Sequence, residues 1–177
     1  MRIMLFSVVV FGAALFSSEA NGQDAPKRSA KLQVLNTFVG TWDFEVTNTP
    51  ATGAAITGTT SETRTWTRGG KFVQFENSQT GKPDEPEFQM LVTYDPTTKT
   101  YPGVLMNGSC RVLIVGTWDA AAKTMTFSGT FSDGNCGTFS FTNRFIDADH
   151  CEASGTMRDA SGKVFLELTQ KQTRRKK

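Results

Sequence analysis

An α-helix cannot hide a run in which every second side chain is oily, whereas a β-strand with one wet face can. From Gly40 onward this sequence follows that two-residue rhythm. Trp42, Phe44 and Val46 alternate with Asp43, Glu45 and Thr47. Met125, Phe127 and Phe131 oppose Thr124, Thr126, Ser128 and Thr130, and Phe88, Met90, Val92 and Tyr94 oppose Glu87, Gln89 and Thr93. Further strand-like runs cover about Ala55–Arg68, Lys71–Gln79, Thr100–Asn107, Cys110–Trp118, Gly137–Ile146, His150–Met157 and Lys163–Thr173. Between the runs lie turn formers such as Gly69-Gly70, Gly81-Lys82-Pro83, Asp95-Pro96, Asn107-Gly108, Asp119-Ala120, Asp133-Gly134 and Ser161-Gly162. These joints are too short for helical crossovers. The expected fold class is therefore all-β: an antiparallel up-and-down barrel of about ten strands, closed so that no edge is exposed. A two-sheet sandwich is the alternative that strand spacing alone leaves open. Ahead of the first strand, Leu32, Leu35 and Phe38 recur at helical spacing and predict a short helix that plugs one barrel end.

The beginning of the chain has another character. Arg2 is followed by an apolar stretch from Ile3 to Phe16, and then by Ser18-Glu19-Ala20 and Ala20-Asn21-Gly22, both of which fit a small-x-small cleavage pattern. Residues 1–22 read as a signal peptide cut after Gly22, with Ala20 as the alternative; a buried helix is the competing reading. The expected location is periplasmic or secreted, with no integral membrane segment left after cleavage. Residues 23–30 read as a flexible linker carrying Pro26, residues 31–173 as the barrel and residues 174–177 as a basic tail. The formal charge of +2 is too close to balance to call for nucleic acid.

Cys110, Cys136 and Cys151 are the cysteines, and an oxidising compartment favours one bridge among them. In a meander, Cys110 and Cys136 fall at the same barrel end and Cys151 at the opposite one. The feasible disulfide is Cys110–Cys136, worth roughly 3–4 kcal/mol in the chain-entropy model; three reduced cysteines are the other possibility.

Catalytic chemistry has little to stand on. His150 is the single histidine, which excludes multi-histidine metal sites and leaves little for a Ser-His-Asp arrangement. No metal and no cofactor is expected. The aspartates at 43, 95, 119, 133, 147 and 149 mostly fall at turns, where this side chain caps its own backbone. The second strand is more informative. Thr57, Thr59, Ser61, Thr63, Thr65 and Thr67 share one face, while Ile56, Glu62, Arg64 and Trp66 share the other. If the threonine face is solvent, Glu62 and Arg64 point inward beside Trp66 and must pair with each other or with a ligand's polar end. A twist or bulge that turns both outward is the alternative. Asn143, between Phe141 and Phe145, is a third candidate interior polar group.

Gly40-Thr41-Trp42 at the start of the first strand, after a short helix, resembles the glycine-x-tryptophan opening of the lipocalin-like (calycin) superfamily. The order of Leu35 to Trp42, Gly69-Gly70-Lys71-Phe72, Tyr94-Asp95, Tyr101, Gly116 to Asp119 and the closing strand up to Arg174 is similar to the bacterial domain of unknown function 1579 family. The resemblance implies a lipocalin-like barrel of unassigned activity and brings no catalytic residues. Heme-binding nitrobindin-like barrels carry a longer glycine-rich motif after the tryptophan; Asp43-Phe44-Glu45-Val46 stands there instead, which counts against heme. The fold-level analogy implies a binding module for a small apolar or amphipathic molecule. Trp42, Phe44, Trp66, Phe127, Phe141 and Phe145 would form the walls, with Glu62, Arg64 and Asn143 at the polar end. A packed structural or interaction barrel of the cell envelope is the alternative, and an enzyme using Glu62 as acid or base is a third reading.

Overall fold

The computed structural model describes residues 28–67, 69–77, 88–107, 110–131 and 137–176, with the backbone alone for Asn107 and Cys110. The leader, most of the expected linker, Cys136 and the turns at 81–83 and Asp133-Gly134 lie outside the described residues. Helix α1 (Ala30–Gln33) runs into a 3-10 turn (Val34–Thr37) and then into ten strands. These are β1 (Gly40–Pro50), β2 (Ile56–Trp66), β3 (Val73–Asn77), β4 (Phe88–Val92), β5 (Tyr101–Asn107), β6 (Cys110–Asp119), β7 (Thr124–Phe131), β8 (Thr138–Phe145), β9 (His150–Arg158) and β10 (Val164–Arg174). Each strand pairs antiparallel with the next, and β1 pairs with β10, so the sheet closes into a barrel and the sandwich is set aside.

The alternation seen in the sequence becomes the wall of this barrel. On β1, Trp42 and Phe44 are buried while Asp43 and Glu45 are exposed; on β7, Met125 and Phe127 are buried. The turns are capped as aspartate chemistry requires. Asp95 accepts from the Thr97 amide at 2.8 Å, and Asp119 from the Ala121 amide at 2.9 Å. Asp147 accepts from the Asp149 amide at 2.7 Å, and Asp159 from the Ser161 amide at 2.9 Å. Donors to these carboxylates hold Asp95, Asp147 and Asp159 below the usual carboxylate range, Asp147 chiefly through His150. His150 is exposed and faces Asp147 at 2.9 Å, the ordinary furniture of a turn.

The helix and the turn after it plug the barrel end formed by Trp42, Trp66, Val73 and Tyr101. Leu35 and Phe38 are fully buried there. Polar contacts tie the plug to the wall: Trp42 Nε1 donates to the Phe38 carbonyl at 2.7 Å, Trp66 Nε1 to Asn36 Oδ1 at 2.9 Å and the Tyr101 hydroxyl to the Lys31 carbonyl at 2.9 Å. Burial pushes the Tyr101 phenol up to about 12.

Arg174 locks the same end. It is the last residue of β10, stacks on Trp42 at 4.2 Å and donates to the carbonyls of Thr37, Val39 and Ala148. Arg175 is likewise anchored, with Nη2 at 2.6 Å from Asp43 Oδ1. Gly40 has φ +136°, and a Cβ there would come within 2.7 Å of Arg174 Nη1, so this opening glycine is needed for both its backbone and its lack of a side chain. Among the described residues no helix is long and apolar enough to cross a membrane.

Candidate functional site

Above the plug the barrel is not filled. A cavity of about 450 Å³ runs from Phe38 towards the far end, where Asn48, Asn77 and Leu168 line it. Its walls are largely apolar, with Phe44, Phe75, Met90, Phe127 and Phe141 among them. A volume of this size falls in the range of small-molecule pockets, about 300–1,000 Å³.

One connected set of polar groups is contributed by β2, β8 and β10. From Thr60 onward the even positions of β2 face inward while the odd ones carry hydroxyls, so Glu62 and Arg64 enter the interior 8 % and 3 % exposed; Ile56, on the same face in the sequence, lies at the strand's start and is exposed. The register sets Trp42 opposite Glu62 and Phe44 opposite Gln172, which brings β2 and β10 to either side of β1 at the same depth. Arg64 Nε donates to Glu62 Oε1 at 2.5 Å, and Arg64 Nη2 donates to Gln172 Oε1 at 3.0 Å. Gln172 Nε2 in turn donates to Gln170 Oε1 at 2.9 Å and reaches Asn143 Oδ1 at 3.4 Å. The guanidinium is ringed by Phe38, Trp42, Phe44 and Phe75, whose centroids lie 5.1–5.6 Å from Cζ. Cation–π attraction and the Glu62 carboxylate together offset part of the cost of taking a guanidinium out of water.

Of the residues the sequence nominates, Phe44, Glu62, Arg64, Phe127, Phe141 and Asn143 line the cavity. Trp42 and Phe145 lie beneath it, packed against each other at 6.3 Å, with Phe145 edge-on to Phe38 at 4.9 Å. Trp66 is drawn to the plug by Asn36 and is covered by Arg28, whose Cζ sits 4.0 Å from the indole. For Trp42 and Phe145 the reason is Phe38, which lines the cavity floor, lies edge-on to Phe145 and accepts the Trp42 indole hydrogen bond at its carbonyl. Gln170 and Gln172 on the polar row, and Phe75 and Met90 on the apolar wall, are among the site residues that sequence reasoning passes over. Gln172 shares the inward parity of Leu166 and Leu168 on β10, which is the available signal.

Cys110 opens β6 at the far end of the barrel, and its side chain and Cys136 lie outside the described residues. Cys151 pairs with Phe145 at the plugged end and is a free, buried thiol. Burial pushes it up to about 11, against the lowering pull of the Arg64 charge. Cys151 is therefore expected to resist iodoacetamide in the folded protein and to react once denaturant opens the barrel. Peptide mapping that finds Cys151 alkylated under native conditions would contradict this packing.

Comparison with known proteins adds the family. A model described as protein of unknown function (DUF1579) matches residues 27–174. The chain belongs to this family. No curated protein matches. Among solved structures, the S-type phycobiliprotein lyase CPES from Guillardia theta superposes with a TM-score of 0.60 at 11% identity, covering 85% of this chain and 95% of that one. Rv2717c from M. tuberculosis superposes with a TM-score of 0.61 at 14% identity, covering 84% of this chain and 99% of that one. At such identities the likeness is one of fold: this DUF1579 chain is built as a lipocalin-like barrel, as the glycine-x-tryptophan opening implies.

Proposed function

We propose that this DUF1579 barrel is an exported carrier or sensor that holds one small, mostly apolar molecule in its interior. The observation that supports this reading is the cavity of about 450 Å³, apolar on most of its wall, with one connected polar row in it. A barrel serving only as a structural element of the envelope gains nothing from leaving such space unfilled, because unfilled volume forfeits packing energy. An acid–base role for Glu62 is less well supported, since its carboxylate already accepts from Arg64. That a phycobiliprotein lyase has this fold is compatible with a barrel that receives a small molecule. Export rests on the leader at 1–22, and the proposed Cys110–Cys136 bridge suits an oxidising compartment.

Native mass spectrometry of the protein isolated from its own host tests the whole reading in one spectrum. The expected result is a chain lacking residues 1–22, two mass units lighter for one disulfide, carrying a guest that leaves on collisional activation. A full-length chain with an empty barrel is the result that would defeat it.

A further inference from the structure

The polar row in the cavity is incomplete at one atom. Among the described residues, the buried side-chain atom without a hydrogen-bond partner is Arg64 Nη1. A buried donor left unmade is costly, and the cost is largest for a charged group. Arg64 is 3 % exposed and is part of the cavity wall, so a molecule held in the cavity is placed to complete it.

The charge around that atom selects the chemistry. Glu62 and Arg64 are the charged side chains of the cavity wall, and they are already paired at 2.5 Å. Arg174, the nearby cation at the plugged end, has its own carboxylate in Asp149 at 3.5 Å. The interior is formally neutral before any guest arrives. A ligand carboxylate or phosphate would therefore give up its hydration to share a guanidinium that Glu62 has already neutralised, and would bring a second anion beside the first. An uncharged oxygen accepts the Nη1 hydrogen without adding charge. Resting on the proposed binding function, we infer that the natural guest is an aliphatic or aromatic molecule whose polar end is an uncharged hydrogen-bond acceptor, an amide, ketone or alcohol oxygen, seated on Arg64 Nη1. The rings of Phe44 and Phe75 flank that position, and Phe127 and Phe141 receive the apolar body.

Displacement of the neutral fluorophore N-phenylnaphthylamine from the full mature chain, by lauramide and by laurate, tests this at a pH where laurate is ionised. Lauramide should displace the fluorophore at about tenfold lower concentration than laurate, the size of one charge-assisted hydrogen bond gained without an ionic penalty. In Glu62→Gln the side chain keeps an acceptor for Arg64 Nε but loses its charge, so the order should reverse and laurate should become the tighter competitor. A purely structural Glu62 would not move that order. Laurate binding as tightly as lauramide to the unmodified protein, or an order that Glu62→Gln leaves unchanged, overturns the assignment while leaving the cavity a binding site. Failure of the fluorophore itself to bind overturns the binding function and this inference with it.

Discussion

Arg64→Met should unfold this barrel more readily than any other single substitution of an inward polar group, by about 3–5 kcal/mol, because it leaves Glu62 as a buried and uncompensated carboxylate. Glu62 is 8 % exposed, so its charge is largely removed from bulk water, and the same change strips Gln172 Oε1 of its donor. In a chain of this length the loss corresponds to a drop in melting temperature on the order of 10 °C. The informative comparison is the double variant Glu62→Leu/Arg64→Met. Removing both charges removes the desolvation cost of both, and replacement of a buried pair by apolar side chains is often neutral or stabilising. The double variant should therefore melt above Arg64→Met even though it carries one more substitution. Circular dichroism melts of the two proteins decide the matter: a double variant that melts at or below the single one would mean that Glu62 is not held by Arg64. The same result bears on function. A pair that costs stability relative to apolar residues, and that stands beside an empty space with one donor unmade, is explained by what enters the space rather than by the fold.

The barrel itself was legible in the residues because the inward set is periodic. Trp42 and Phe44, or Met125 and Phe127, are two apart and face the same way in any strand, so the wall can be read without knowing which strand pairs with which. The same parity put Glu62 and Arg64 on one face, but left open a twist or bulge turning both outward; the structure buries them. Depth along the barrel was not legible. It depends on the register between neighbours, which puts Trp42 opposite Arg174 and Phe145 opposite Cys151 at the plugged end, and turn residues alone do not fix register that finely. Phe38 was legible as part of the plug, from its helical spacing to Leu32 and Leu35, but how far it reaches was not: it crosses to the axis, where it meets Phe75, Phe127 and Phe145. Once it is there, Trp42 and Phe145 become floor rather than wall. Gln170 and Gln172 were read as part of the last strand but not as site residues, because their polarity outweighed their parity. Inside a barrel with a polar row, parity is the better guide.

Trp42→Ala should cost about 3–5 kcal/mol, the usual range for emptying a buried aromatic site, and the loss should fall on the plug. Trp42 is fully buried, donates to the Phe38 carbonyl and supports the Arg174 guanidinium that holds the carbonyls of Thr37 and Ala148. Without the indole, Phe38 loses both a hydrogen bond and a packing neighbour, and Arg174 loses the face it lies on. The hierarchy of variants separates these contributions. Trp42→Phe keeps an aromatic face for Arg174 and Phe145 but leaves the Phe38 carbonyl without its donor, so it should lose roughly 1–3 kcal/mol. Hydrogen exchange gives the location: in Trp42→Ala the amides of Gln33, Phe38 and Val39, bonded in the plug and the turn after it, should lose protection before those of β7 and β8. Uniform loss of protection across plug and barrel would instead mean that the two unfold as one unit. Selective loss at the plug would identify it as a separable closure, fastened to a barrel that stands without it by Trp42 and Arg174.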